Sequence, residues 1–570
     1  MSELTFIKGK DACLEESIDS MQTQLKSQGF SIQEASWLNP AKNIFSLHIN
    51  EATCPGLFTN GKGASRKACL ASALGEYLER LSTNYFFSDY YIESAVKESD
   101  WLYYPDEKAF DENNIEACLN ETLWRFYDPE ESVGFNELLS FNDSVEKVRA
   151  IPLVNQRTQE IAYFPMNLMS NIYASNGLSA GNTALEAQVQ GLSEIFERWV
   201  KNKILRENLC VPEVPQSVVD SFPTIAEAVK SLEEAGLKLS IRDASLGGRY
   251  PVINVTLFDQ STGQCFASFG AHPIFEVALE RTLTESLQGR HLQNLDGFQA
   301  PVFDEVAIAE DENIENHFID SSGLIHDRFI SHDYDFDFVH WDFSGTTESQ
   351  WEKLHELVLE QNTDAYVANY THCGFQACRI IVPGMSEVYP VTELLDSNQN
   401  EGRLLREAIF KAAKDNEFAS LVELIDLLGF SDHQGVASLI GLMPDKGSFW
   451  AQLKVCDLRF WALLASGQKE EALDALHELI YFVNPDNSKI LLYKAIQYAL
   501  EWQEASMNDE STLSSLFGEK VAKQAWKAIN AEEVFAGEIL GKAIFDQSKQ
   551  HQAMLAVYAR LHEAKAKNMG

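Results

Sequence analysis

The chain has 570 residues, 45% hydrophobic and 23% charged, proportions of a folded protein with more than one core rather than of a disordered one. The 85 acidic residues against 45 Lys and Arg leave a formal charge of −40. Such a surface repels nucleic-acid phosphates and anionic lipid, which excludes nucleic acid and membrane as bulk partners and requires any phosphate ligand to find a concentrated basic pocket.

The N-terminal stretch MSELTFIKGKDACLEES lacks the basic-then-apolar layout of a signal peptide, and no apolar run approaches bilayer length, so a cytoplasmic location is expected. Nine scattered cysteines without a C-x-x-C pair predict reduced, mostly buried thiols and no zinc site. Strand-like runs fall at 44–49, 250–258, 265–269, 365–370 and 377–382, and helical periodicity at 64–84, 183–206, 275–290 and 348–361. After residue 400 nearly every segment reads as helix, and the last proline is Pro485. The expectation is an α+β protein: a large mixed α/β domain over 1–395 and an all-α domain over 396–570. Residues 460–480, with a turn at Ser466-Gly467, resemble one tetratricopeptide-type hairpin, and a plain bundle and a repeat superhelix both stay open. Trp450 and Tyr481 are candidate exposed aromatics of a contact surface, a symmetric homodimer is expected, and the helical part is expected to be dispensable for ligand binding.

The informative feature is an internal repeat. At a constant offset of 118, Gly63 falls on Gly181, Leu74 on Leu192, Glu76 on Glu194, Glu79 on Glu197 and Arg80 on Arg198. One E-x-x-E-R means little on a solvated helix; two at fixed register, each after a glycine turn, mean more. Ser72, Glu76 and Glu79 share one helix face, and Glu186, Gln190, Glu194 and Glu197 another. Their neighbours Leu74, Tyr77, Leu78, Leu192, Ile195 and Phe196 are bulky and apolar, so the acids are predicted to be largely buried. Buried carboxylates need cations. Arg80 and Arg198 supply two, and all-oxygen ligands favour a hard ion such as Mg²⁺. A di-iron site would want Glu-x-x-His, and a purely structural Arg–Glu network remains the competing reading. For phosphates, the glycines of 60–68 precede a helix start, where free N–H groups suit an anion, although the spacing is not that of a P-loop. Residues 277–290 add Arg281, Glu285 and Gln288 at helical spacing, the Arg being able to bind oxygens in pairs.

These residues resemble a known family. Ser72-x3-Glu76-x2-Glu79-Arg80, Ser179-x6-Glu186-x3-Gln190 and Arg281-x3-Glu285 are similar to the three ATP-binding signatures of the YcaO family. GKDA (9–12), EASWLNP (34–40), FTNGKGA (58–64), SALGEY (72–77), ERLSTNYFF (79–87), CFASFGAHP (265–273), HFIDSSGL (317–324), FSGTTE (343–348) and CRIIVPGMS (378–386) resemble its stand-alone branch. The resemblance implies ATP and Mg²⁺ as cofactors. It places Glu76, Glu79, Glu194 and Glu197 on Mg²⁺, Lys10, Ser179, Asn182, Arg198 and Arg281 on the phosphates, and Ser17, Glu186 and Gln190 toward the rest of the nucleotide. It implies either of two activities. One is accessory work in β-methylthiolation of an aspartate on a small-subunit ribosomal protein, with the ribosomal protein or the methylthiotransferase as partner. The other is ATP-dependent activation of a backbone amide through a phosphorylated amide oxygen, forming azolines or thioamides. Azoline-forming members typically end in a Pro-rich tail, whereas this chain finishes AKAKNMG, which points away from direct cyclodehydration.

Overall fold

Antiparallel pairing organises the mixed part of the chain. The computed structural model describes residues 4–96, 99–293, 295–482, 489–505 and 510–568; Pro485, Met569 and Gly570 lie outside them. Helix α1 (Leu14–Ser27) precedes a meander of β1 (Ile32–Ala41), β2 (Ile44–Glu51) and β3 (Cys54–Gly63), from which helix α2 (Arg66–Ser82) departs. Strands β4 (Lys108–Phe110), β5 (Val148–Asn155), β6 (Ile161–Pro165) and β7 (Leu178–Gly181) begin a larger sheet, and β7 runs into the 23-residue helix α3 (Ala184–Arg206). A separate three-stranded sheet, β8 (Leu237–Asp243), β9 (Val252–Asp259) and β10 (Gln264–Ala271), carries helix α4 (Phe275–Glu285) on one face. After helix α5 (Thr347–Leu359), β11 (Tyr366–Tyr370) and β12 (Gln376–Ile381) complete the larger sheet in the order β4-β5-β11-β12-β7, with β6 beside β5.

The strands expected from alternation and the four expected helices all form, with shifted ends. The largest shift is at 275–290: the helix stops at Glu285, and the chain turns through Gly289 at φ +75°. Gln288 therefore leaves the helix, and its amide donates to the Asn60 carbonyl. Helix α2 packs on β3 and β7, while α3 packs on β7, β12 and β10. Strand β7 thus sits under both halves of the repeat. Eight of the nine cysteines are buried and none is bridged.

From Asn400 onward the described residues form helices and turns, with one isolated bridge between Gly435 and Lys454. They include α6 (Asn400–Asp415), the hairpin of α7 (Val455–Ala465) and α8 (Lys469–Phe482) around Gly467 at φ +81°, and the terminal α9 (Lys549–Asn568). Tyr481 is 83% exposed, as expected. Trp450 is not: it is 7% exposed because its apolar ring packs into the helical core, and its indole N–H donates to the Ile539 carbonyl.

The last helix changes the view of the two parts. Met554, Val557, Tyr558 and Leu561 of α9 belong to the same core cluster as Leu74, Tyr77 and Phe87. Lys565, fully buried, donates to the Tyr103 carbonyl at 2.8 Å and to Asn84 Oδ1. Arg406 of α6 is buried too, and its Nη2 donates to the Phe141 carbonyl at 2.7 Å. A chain cut near residue 395 loses part of its first core. Leu561 is fully buried, and truncating such a side chain costs about 2–5 kcal/mol. Leu561→Ala is expected to lower the melting of the whole chain in one transition. Separate transitions with the mixed part unmoved, read by calorimetry, would contradict this packing.

Candidate functional site

Each half of the repeat is a strand, a cap and a helix, held in the same way. A Cβ added to Gly63 would stand 2.8 Å from the Cys69 nitrogen, and one on Gly181 would stand 2.6 Å from that of Ala187. Only glycine lets the strand end touch the first helical turn. Two residues on, Ser65 Oγ accepts from the Ala68 N–H and Thr183 Oγ1 from the Glu186 N–H, so both helices are capped. These glycines therefore serve close packing of strand on helix.

Both helices turn E-x-x-E-R toward one cavity of about 920 Å³. Arg80 Nη2 donates to Glu76 Oε1 at 3.4 Å, and Arg198 Nη2 to Glu194 Oε1 at 2.8 Å. Each guanidinium also lies over a ring, Tyr85 at 4.4 Å and Phe318 at 4.2 Å. Helix α4 makes the third wall: Arg281 Nη1 donates to Gln190 Oε1 at 2.5 Å, and Glu285 pairs with Lys62 at 2.5 Å. The N-terminal segment closes the far end. There the Glu186 carboxylate accepts from Lys10 Nζ at 3.1 Å, the Asp11 N–H at 2.9 Å and Asn182 Nδ2 at 3.0 Å, while Ser17 Oγ donates to Asn182 Oδ1 at 2.7 Å. Ser72, Glu79 and Glu197 also line the cavity.

Every residue singled out in the sequence lines this cavity except Ser179. That side chain is fully buried, and its Oγ donates to the Ala187 carbonyl at 2.6 Å beside Cys378 Sγ. It pins β7 to α3 and presents nothing to a ligand. Sequence reasoning missed Lys62 and Lys201. Lys201 stands four residues after Glu197, a readable helical spacing, and its buried Nζ donates to the His317 carbonyl at 2.7 Å.

The charges are in tension. Burial, reinforced by neighbouring acids and opposed by Arg80, pushes Glu79 up to about 8. Burial raises Glu76 and Glu197 as well and lowers Lys201. Glu285 goes the other way, because Lys62, Arg281 and Arg198 together outweigh its burial. Arg80 Nη1 is buried with no hydrogen-bond partner.

A family model described as YcaO cyclodehydratase, ATP- and Mg²⁺-binding, matches residues 60–386, and one for the YcaO cyclodehydratase C-terminal domain matches residues 402–567. An uncharacterized protein of Haemophilus influenzae is 42% identical over 585 residues, covering 100% of both chains. The ribosomal protein S12 methylthiotransferase accessory factor YcaO of Escherichia coli is 42% identical over 580 residues, covering 99% of both. A structure of YcaO from Methanopyrus kandleri, bound with AMPPCP and Mg²⁺, aligns at 18% identity over 68% of this chain and 96% of that one, with a TM-score of 0.38. The family match and the fold define an ATP- and Mg²⁺-binding α+β protein with a helical C-terminal part. The chain belongs to the YcaO family.

The residues present fit those two ligands. Among the described residues no three His, Cys, Asp or Glu converge closely enough to hold a metal ion by themselves. The carboxylates are instead spread around the cavity wall, which suits Mg²⁺ that shares its shell with water and phosphate oxygens. The buried Arg80 Nη1, which has no hydrogen-bond partner among the described residues, is a donor that a phosphate oxygen would satisfy.

The raised Glu79 has a measurable consequence. A carboxyl with an elevated folded pKa keeps a proton the unfolded chain has released, so its contribution to stability is present at acid pH and lost as pH rises from 4.5 toward 8. Buried His317 and Lys565, lowered to about 3 and about 7, run in the opposite direction. Comparison with Glu79→Gln isolates the effect: the ligand-free variant is expected to gain stability relative to wild type between about pH 5 and about pH 8. Parallel melting curves across that range would contradict it.

Proposed function

We propose that the chain binds Mg-ATP in this cavity and works as an accessory factor to a methylthiotransferase that modifies an aspartate of a small-subunit ribosomal protein. The observation that carries the nucleotide part is the capped repeat, which aims Glu76, Glu79, Glu194 and Glu197 at one space walled by Arg198 and Arg281. In this reading those four acids hold Mg²⁺, and Lys10, Asn182, Arg198 and Arg281 take the phosphates, without Ser179. Ser17, Ser72, Glu186, Gln190 and Glu285 surround the rest of the nucleotide and orient the basic groups, as Glu186 already does for Lys10 and Asn182. Bound Mg²⁺ would neutralise phosphate charge. Helices α2 and α3 fix where that neutralisation happens.

The accessory role is supported by the name of the Escherichia coli relative, which matches over its full length. The helical part would supply the partner surface or a homodimer contact, with Tyr481 and Phe482 both exposed at the end of α8. A second reading, ATP-dependent activation of a backbone amide, is favoured by the family's description as cyclodehydratase.

A ligand that binds only the folded state raises its melting point by mass action. Saturating Mg-ATP is therefore expected to raise the thermal midpoint of the wild-type chain. Glu76→Gln and Glu194→Gln are expected to abolish that rise while leaving the ligand-free midpoint unchanged or higher, since each removes charge from a crowded site. No shift in wild type would overturn the nucleotide reading. Variants that melt low yet still respond to Mg-ATP would make the acids structural partners of Arg80 and Arg198.

A further inference from the structure

A second cavity, of about 600 Å³, lies between the larger sheet and the helical part, and it meets the first cavity at Tyr85, Ala174 and Tyr389, which line both. The chain enters that junction through a π-helical turn, Met169–Tyr173, a form concentrated at functional sites. Ala174 then takes φ +46° and ψ −120°, a left-handed conformation rarely adopted by a residue with a Cβ. Its carbonyl accepts from Arg379 Nη2 at 3.4 Å.

Arg379, on β12, lines the second cavity. It is 5% exposed, and among the described residues it pairs with no acid and its Nη1 has no hydrogen-bond partner. A buried guanidinium in that state is unfavourable until an oxygen ligand reaches it. The remaining wall has the opposite sign. Asp89, Asp396 and Glu401 line it, and among the described residues none is in an ion pair. A phosphate aimed at Arg379 would be repelled by three acids. A carboxylate carried on a cationic chain satisfies both ends at once, and a small carboxylic acid would leave the acidic rim unmatched. The −40 charge of the whole chain favours the same partner.

We propose that the second cavity receives a segment of a basic polypeptide, with an acidic side chain of that segment on Arg379 and its flanking Lys or Arg side chains on Asp89, Asp396 and Glu401. The shared wall at Tyr85 and Tyr389 then presents the segment to the nucleotide cavity, so the proposal rests on the nucleotide reading above.

The test uses the full-length protein and short peptides, acetylated and amidated at their ends, in which Lys and Arg flank a single Asp or, as control, an Asn. Wild type is expected to bind the Asp peptide at least about tenfold tighter than the Asn peptide, the range of a charge-assisted hydrogen bond. Arg379→Gln is expected to erase that preference, Arg379→Lys to keep part of it, and Asp396→Asn with Glu401→Gln to weaken both peptides alike. Affinity for a non-hydrolysable ATP analogue with Mg²⁺, measured on the same samples, should be unchanged in all of these variants. Equal binding of the two peptides by wild type, a preference that survives Arg379→Gln, or rim variants that bind both peptides normally would overturn the proposal. Peptide preference without nucleotide binding would instead defeat the nucleotide reading and leave the peptide pocket standing.

Discussion

Carboxylates withdrawn from water and set against one another are unstable as anions, and this chain puts four of them, two from each half of a repeat, on the wall of one cavity. The protein's own side chains meet that difficulty in two ways. Arg80 and Arg198 lie back along their own helices onto Glu76 and Glu194, and Glu79 and Glu197 are biased toward their protonated forms by burial. Neither solution is complete, since Arg80 keeps an unpartnered nitrogen. In the proposed reading these acids would hold Mg²⁺, which would ease the conflict and leave Arg198 to meet phosphate oxygens.

The surrounding fold serves that arrangement. Gly63 and Gly181 let each strand end touch its helix, Ser65 and Thr183 cap the helices, and β7 lies beneath both. The register β7 needs is fixed by β12, where Cys378 stands opposite Ser179. Since the next residue of β12 is Arg379, the strand that aligns the first cavity also supplies the buried cation of the second. Terminal helix α9 seals the core around α2 from the other side, so the helical part bears on the site through packing although its helices contribute no ligand-facing group to the first cavity.

Much of the site was legible because a repeat is visible as identity at fixed offset. The paired glutamates, the arginines and the α4 wall all followed from spacing, and the family resemblance added Lys10, Ser17 and Asn182. What misled was local. The family resemblance places Ser179 on the phosphates, but the tertiary pairing of β7 with β12 buries it and turns its hydroxyl to the Ala187 carbonyl. Trp450 reads as exposed in an amphipathic stretch until the Ile539 carbonyl is seen beside it. The return of α9 to the first core, and the unpaired Arg379, depend on contacts between distant segments, which no periodicity reports.

In the proposed reading both halves of the repeat act on one metal–nucleotide ligand. Manganese(II) in place of Mg²⁺ makes this directly observable, because the electron paramagnetic resonance signal of free Mn²⁺ is lost on binding. Tight Mn²⁺ uptake is expected only when an ATP analogue is present, abolished equally by Glu79→Gln in the first half and Glu197→Gln in the second. Uptake that ignores the nucleotide, or that survives intact when either half is changed, would contradict it.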